Sequence, residues 1–453
     1  MTTHHDVIVV GAGLAGLRCA ADLVAAGRDP VVLEARQRVG GRVWSHRFPD
    51  GQWCERGAEF VDTGHREVIA LVAALGLELN DVSCGRDDAR RMLDMGGRSV
   101  PYELHHNLAP DLARFDSAMT ELAAMVDIDD PAGPRSALLD DVPLSAVVEA
   151  LGLSLVARVV IGRDIRSEYM LGPDEVSQLM AAWMTALHLV SDDGFEAHRI
   201  VGGNDQLASG LAARLGDRIR LATPVAIVEP DEGAVVLATG ERLTADHLVV
   251  TVPLPVLGRM WHEIPTTLSR VGYGIGGKVS VQFSRRTWLD EGRDGSVRTE
   301  RAWGELWETT DGQSGDRGVM TALLSSNDGV ALMSLPDIED RIIAEIDRLF
   351  PGAKGLAGER VVTDWTDDPY SLGAYVTFGL GQLLAAWPQL RRPHGRMLLA
   401  GEHTDEWCGY MEGALRSGAR AARTILAAAA PPDADRRTTP TDTDRRTKPT
   451  DTD

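Results

Sequence analysis

Cysteine is scarce in this 453-residue chain. The four cysteines, Cys19, Cys54, Cys84 and Cys408, form no Cys-x-x-Cys pair and stand near no histidine at metal-ligand spacing. They read as reduced, buried thiols of a cytoplasmic protein, without a disulfide framework or a metal site. Long apolar runs are also missing. None approaches the ~20 residues that a helical membrane span needs. The polar stretch Met1–Asp6 has no basic n-region, apolar h-region or small-residue cleavage site, so no secretory signal is expected. Positive charge is in the minority: 46 Lys and Arg against 67 Asp and Glu give a formal net charge of −21. Such a surface repels nucleic acid and anionic membranes and mildly favours cationic ligands. What remains, 44% hydrophobic and 25% charged residues, is ordinary for a soluble globular enzyme. The length suggests two or three domain-sized units.

The first forty residues read strand, tight turn, helix, strand. Val7-Ile8-Val9-Val10 is an unbroken β-branched run, the signature of a strand covered on both faces. Leu14 to Ala26 is rich in Ala and Leu and predicts a helix, closed by Gly27 in a C-cap position. Pro30 to Leu33 is a second buried strand, and a βαβ unit implies a parallel sheet. Further along, Val68 to Leu79 and most of Leu108 to Val190 look helical, with apolar stripes such as Leu144, Val147, Val148 and Leu151. From Arg218 the texture changes to short strands between Asp-Glu-Gly and Thr-Gly-Glu turns. Strands of a second sheet are predicted at Lys278 to Phe283, Gly318 to Leu324 and Val361 to Trp365. A short strand at Met397 to Ala400 precedes a last helix from about Gly413 to Ala428.

The pattern predicts a mixed α/β fold. A Rossmann-like domain is assembled from residues 1–80, 200–260 and 390–430, with a helical insertion over 81–199. A second domain of mixed sheet and helices spans 261–389. Residues 431–453 contain the unit Asp-Arg-Arg-Thr-x-Pro-Thr-Asp-Thr-Asp twice and lack large apolar side chains, so they are expected to be disordered.

Gly11-Ala12-Gly13-Leu14-Ala15-Gly16 falls on the first strand-to-helix turn. Gly11 permits the turn, Gly13 lets backbone approach a pyrophosphate and Gly16 allows close helix–strand packing. The helix N-terminus then faces the phosphates. Glu34 ends the next strand 18 positions after Gly16, where an acid accepts ribose hydroxyls. The residues beyond it favour FAD over NAD. Glu34-Ala35-Arg36-Gln37-Arg38-Val39-Gly40-Gly41-Arg42 supplies a second glycine loop that can pass close to a diphosphate, with Arg42 to neutralise it.

Taken with several later landmarks, this fingerprint resembles the flavin amine oxidase superfamily, which includes monoamine, polyamine and L-amino acid oxidases. The landmarks are Gly57-Ala58-Glu59-Phe60, Val201-Gly202-Gly203, Pro224-Val225 and Ala400-Gly401-Glu402-His403-Thr404. The last and most specific is Trp407-Cys408-Gly409-Tyr410-Met411-Glu412-Gly413-Ala414. The resemblance spans most of residues 6 to 428. It implies that Val225 contacts the adenine end of FAD, that Gly401 and Glu402 lie by the ribityl and phosphate region, and that Met411 and the start of the last helix meet the flavin's pyrimidine edge. Where animal monoamine oxidases carry a flavin-linked cysteine this chain has Ala374, so FAD is expected to be non-covalent.

By the same resemblance, Lys278 holds a water at flavin N5, and Tyr375 and Tyr410 are aromatic walls flanking the substrate amine, with π-faces turned to nitrogen. Trp407 packs beside the flavin or lines the cavity. Asp62 is a candidate for a distal ammonium, against the plainer reading of a solvated loop acid or helix cap. His65 follows in the same loop. Glu196, His198 and Arg199 are weaker candidates for the cavity wall. Phe60 stands roughly where snake-type L-amino acid oxidases place a carboxylate-binding arginine. This favours a primary or secondary amine without a carboxylate, an aromatic amine or a diamine, although Arg199 could substitute. The implied reaction removes a hydride equivalent from the carbon bearing nitrogen, with the imine hydrolysed and O2 reduced to hydrogen peroxide. An L-amino acid oxidase, a flavoenzyme acting on C–C bonds and a flavin-binding scaffold without turnover stay open. So does a homodimer.

Overall fold

The computed structural model describes residues 3–82, 90–102, 108–190 and 196–429; Cys84 and the repeated tail lie outside the described residues. Two seven-stranded sheets organise the chain. The first is built around the strand Thr3–Val10, whose Val7–Val10 end is buried. With no polar face to offer, that end must be apolar at every position. It pairs in parallel with Pro30–Leu33 on one side and Arg242–Val250 on the other. Ile219–Arg220 extends the sheet beyond Pro30–Leu33, and Met397–Leu399 pairs in parallel with the Leu248–Val250 end of its neighbour. The Arg242 end turns instead into an antiparallel meander with Ala234–Leu237 and Val225–Glu229. Segments from both termini and the middle of the chain therefore meet in one sheet.

Helix Leu14–Ala25 crosses the last helix, Met411–Ala429, at very short range: a Cβ on Gly418 would lie 2.2 Å from the Ala15 carbonyl oxygen. Glu412, in the first turn of the last helix, accepts the N–H groups of Glu67 at 2.9 Å and Val68 at 3.0 Å. Helix Arg66–Ala74 has no side-chain cap of its own, so this remote carboxylate satisfies its first free donors. That helix is shorter than its sequence implies. It stops at Ala74, Gly76 takes φ +66°, and Leu79–Asp81 becomes a strand paired with His198–Ile200.

The second sheet runs Ala357–Asp364, Gly276–Phe283, Gly318–Ser325, Glu305–Glu308, Val297–Thr299, Met92–Met95, Arg98–Pro101. All its pairings are antiparallel except that of Val297–Thr299 with Met92–Met95. The amphipathic helix Ile338–Leu349, for which no expectation was set by the sequence, packs its isoleucines into the core beneath this sheet. The hairpin Met92–Pro101 puts strands of the second sheet into the stretch expected as a helical insertion over 81–199. Gly96 and Gly97, at φ +58° and +75°, make the two-residue turn that joins antiparallel strands. Its strands are only four residues each, too short for a clear period of two beside long helical stripes. Helices Leu108–Ala123, Ser145–Ala150, Leu155–Tyr169 and Gln178–Leu189 fill much of the remainder. No helix among the described residues is long and apolar enough to cross a membrane.

Because the Gly418 contact leaves no space for a methyl group against rigid backbone, Gly418→Ala is expected to lower stability by about 1–3 kcal/mol. Thermal unfolding followed by circular dichroism checks this; an unchanged midpoint would show that the crossing relaxes freely.

Candidate active site

The turn after Val10 is held open by its glycines. Gly11 adopts φ +102°, and a Cβ there would meet Thr251 Oγ1 at 2.7 Å. A Cβ on Gly16 would fall 2.0 Å from the Gly11 carbonyl oxygen, so Gly16 fastens helix to turn from beneath and does not line the cavity. At Gly13 a Cβ would meet nothing within 4 Å, which leaves the helix N-terminus open where a phosphate needs it. The second glycine loop lies against the first: Gly40 N–H donates to the Ala12 carbonyl at 2.8 Å, and Gly13 and Gly40 form a parallel bridge. Glu34 accepts Ala12 N–H and Arg36 N–H, each at 2.8 Å, through different oxygens. A carboxylate accepts about four hydrogen bonds, so capacity remains on the side that faces the cavity.

That cavity, of about 1130 Å³, runs continuously from Glu34, Arg36 and Val225 at one end past the Gly11–Ala15 and Gly40–Arg42 loops. It continues to Lys278, Tyr375 and Tyr410 and ends among helix-borne side chains such as Phe115 and Met119. It exceeds the ~300–1,000 Å³ of common ligand pockets, as a site for a dinucleotide and a small substrate together must. Leu14, Ala15, Ala35, Gly57, Ala58, Glu59, Phe60, Asp62, Arg199, Gly401, Glu402, Gly409, Met411 and Ala414 also line it. Trp407 does not. It packs behind the wall, edge-on to His65 at 4.9 Å and to Tyr410 at 5.7 Å, although its neighbour Cys408 lines the cavity. His198 is likewise outside the lining and pairs with Asp81 at 2.9 Å.

Arg42 joins the two ends of the sequence. Its Nη1 donates to the Ala374 carbonyl at 2.6 Å and to Glu402 at 2.9 Å, and Glu402 in turn accepts Gly409 N–H at 2.8 Å. Arg36 reaches the same segment from the other side, pairing with Asp368 and donating to Ser371 Oγ at 3.2 Å.

Lys278 is one of only three lysines in the chain. Its Nζ donates to the Gly57 carbonyl at 3.0 Å and to Glu59 Oε2 at 2.6 Å, and lies 5.2 Å from the Trp307 ring centroid. The other oxygen of Glu59 receives Arg199 Nε at 3.0 Å, Trp307 Nε1 at 2.9 Å and Thr309 Oγ1 at 2.7 Å. Burial would push this carboxyl up; the charges of Lys278 and Arg199 and the bonds from Lys278 and Thr309 outweigh it and hold Glu59 at about 2. The Arg199 guanidinium also lies 4.8 Å from the Phe60 ring centroid, and its Nη1 has no hydrogen-bond partner.

Both tyrosines anchor on one turn. Tyr375 donates to the carbonyls of Glu168 at 2.8 Å and Ser167 at 3.2 Å, while the Tyr410 hydroxyl lies 3.5 Å from Glu168 Oε1 and 3.0 Å from His188 Nε2. Acidic side chains surround them. Burial, with the neighbouring negative charge of Asp62, pushes Glu168 up to about 7. Burial and the charges of Glu305 and Glu168 push Glu196 up to about 8, and burial pushes Asp62 up to about 6 against the bond it accepts from Glu196 N–H at 2.7 Å. Asp62 is thus neither a solvated acid nor a helix cap. His65, fully buried beside it, accepts Asp62 N–H through Nδ1, and burial lowers it to about 3, so the ring is neutral. Glu168, His188, Arg298, Glu305 and Trp307 are not among the residues the sequence singles out. They sit on helix ends and strands with no motif; their shared address in the cavity exists only in three dimensions.

Open glycine loops at a helix N-terminus, an acid with spare acceptor capacity and arginines on a second loop fit FAD. The matched relatives agree. Residues 14–426 match the model of the flavin containing amine oxidoreductase family. The chain belongs to that family. Among similar proteins, a probable flavin-containing monoamine oxidase A of Dictyostelium discoideum is 27% identical, over 94% of this chain and 98% of its own. An L-amino acid dehydrogenase of Synechocystis is 26% identical, over 93% and 94%. The solved structure of wild-type putrescine oxidase bound to putrescine superposes with a TM-score of 0.85 at 26% identity, covering 94% of this chain and all of that one. As a flavin amine oxidoreductase the chain uses FAD and acts on amines. Among the described residues no group of three or more His, Cys, Asp or Glu is placed to hold a metal ion.

Glu59→Gln leaves two buried cations without their anion. The expected cost is about 3–5 kcal/mol, read as an earlier urea midpoint with an unchanged slope. A midpoint equal to that of the parent would show that the shape of Glu59, not its charge, holds the network.

Proposed function

We propose that this flavin amine oxidoreductase oxidises amines that carry no carboxylate, with room beyond the reacting nitrogen for a second cationic group. The products are an aldehyde or ketone, ammonia or a smaller amine, and hydrogen peroxide. When bound, FAD takes up the hydride equivalent from the carbon beside nitrogen and passes the electrons to O2. The observation that carries the reading is the sign of the cavity past Tyr375 and Tyr410: Asp62, Glu168, Glu196 and Glu305 face it, while Arg199 and Arg298 on the same walls are already paired. Arg298 is bound to Asp164 and lies 3.5 Å from Glu305; Arg199 is bound to Glu59. A diamine or an aromatic amine suits such walls, and the likeness to a putrescine-bound oxidase supports the diamine.

The chain's own residues then have these parts. Glu34, Arg36 and the two glycine loops hold the dinucleotide, with Val225 at the adenine end and Gly401, Glu402 and the start of the last helix at the flavin end. That helix N-terminus favours negative charge on a reduced ring. Tyr375 and Tyr410 confine the amine and present π-faces to it. Lys278, fixed by Glu59 and the Gly57 carbonyl, tunes the site and assists reoxidation through a water. The buried cysteines Cys19, Cys54 and Cys408 suit a reducing, cytoplasmic setting.

A second reading, oxidation of L-amino acids, draws on the unpartnered Arg199 Nη1 and on the L-amino acid dehydrogenase relative. An anaerobic amine panel separates the two. Bleaching of the yellow holoenzyme by diamines and aryl-alkyl amines, and not by their α-carboxylated counterparts, is expected. Bleaching by amino acids alone overturns the first reading, and no bleaching by any amine overturns both. Acid precipitation is expected to leave the flavin in the supernatant, since Ala374 offers no sulfur to bond it. A yellow pellet would show a covalent link.

A further inference from the structure

We propose that Glu168, held in register with Tyr410, accepts the proton that a substrate ammonium must lose before its C–N bond is oxidised. The inference rests on the amine reading above and adds a named acceptor to it.

The need comes from elementary chemistry. Alkylamines titrate near 10, so they reach the protein as ammonium ions without a lone pair on nitrogen. Hydride cannot leave the adjacent carbon until that lone pair is restored. The cage makes the loss favourable only if a base stands within reach, because proton transfer in a walled cavity needs a positioned partner of suitable acidity.

Glu168 is where the geometry converges. It lies near the end of helix Leu155–Tyr169 and lines the cavity. Tyr375 hangs on its carbonyl at 2.8 Å and Tyr410 stands 3.5 Å from its Oε1, so both aromatic walls are registered to this one residue. The second contact is long, as such contacts often are before a ligand tightens them. From Tyr410 the hydroxyl continues at 3.0 Å to His188 Nε2, on the last turn of Gln178–Leu189. His65 and Trp407 brace the Tyr410 ring from behind at 5.1 and 5.7 Å.

The step balances. One N–H bond of the ammonium breaks, its electron pair stays on nitrogen, and an O–H bond forms on Glu168. A charge pair becomes a neutral pair, which suits a carboxyl buried away from water. The groups facing Glu168 set its readiness. Burial and the negative charges of Asp62 and Glu305 raise it, while Tyr410 and Arg298 lower it, to about 7. Glu196 faces the same space and is itself raised by Glu168. His188, lowered by burial to about 4, stays neutral and braces the Tyr410 hydroxyl at 3.0 Å, so the proton remains on Glu168.

The test is anaerobic flavin reduction from about pH 5.5 to 10, with an amine that the panel has shown to bleach the holoenzyme. Wild type is expected to show an acid limb near 7. Glu168→Gln is expected to lose that limb, to follow the amine's own titration and to reduce about 100-fold more slowly at neutral pH. Glu168→Asp is expected to restore a limb. Flavin content and melting temperature are recorded for each variant. A second readout needs no turnover: an amine with no hydrogen on its α-carbon, bound at about pH 8, above the Glu168 value. Infrared difference spectra should show a new protonated carboxyl in wild type and none in Glu168→Gln. If Glu168→Gln keeps the parent's pH profile, or if the carboxyl band survives it, the proposal is overturned while the amine reading stands. If no amine bleaches or binds wild type, both fall.

Discussion

A carboxylate almost closed off from water, Glu59, ties three distant stretches of chain together. It belongs to the loop after the second glycine turn, yet its partners are Lys278, Trp307 and Thr309 in and beside the second sheet and Arg199 on the strand that follows the helical region. An isolated charge in that place would be prohibitive. With two cations and two neutral donors it is held firmly ionised, and each partner is equally bound to it. The position of Lys278 is therefore decided by an acid in the nucleotide-binding half of the molecule. Neither half has the site without the other.

A second bracket works at the opposite edge of the same cavity. Arg42 and Glu402 are 360 residues apart in sequence and 2.9 Å apart in space. Between them they gather the Ala374 carbonyl and the backbone N–H groups of Val376 and Gly409, so the segments bearing Tyr375 and Tyr410 are fastened to the glycine loop. The glycine loop and the two tyrosines are thereby brought into one rigid frame, which is what orientation-dependent chemistry requires.

The two ends of the cavity differ in charge, and the difference follows from their partners. Around the glycine loops arginines and a helix N-terminus await phosphate. Past the tyrosines, carboxyls crowd one another, and burial with mutual repulsion raises Asp62, Glu168 and Glu196. Such acids are poised to exchange protons in the neutral range instead of standing permanently charged. The overall negative charge of the chain hints at cationic ligands only weakly; the local arrangement makes the case.

The dinucleotide-binding fold and its glycine loops were legible from contiguous stretches of sequence, because both depend on local signals. A β-branched strand, a glycine turn and a helix leave marks within thirty residues, and the Gly-Tyr-Met-Glu-Gly-Ala ending marks the other wall. The family resemblance singled out Lys278, Tyr375 and Tyr410, and the fold brings all three to one cavity. What those residues touch became visible only in the folded chain. Trp407 sits in the most specific motif of the chain and still falls behind the wall, because its ring packs against His65 and the back of Tyr410. Glu168 and His188 carry no motif and fall into the heart of the site, because helix ends from an ordinary stretch of sequence happen to point there. The hairpin at Met92–Pro101 joins the second sheet through a parallel partner some 200 residues away. Local patterning encodes secondary structure and loops that must bend for a ligand. Which side chains share one cavity is settled by long-range packing, and no short window of sequence contains it.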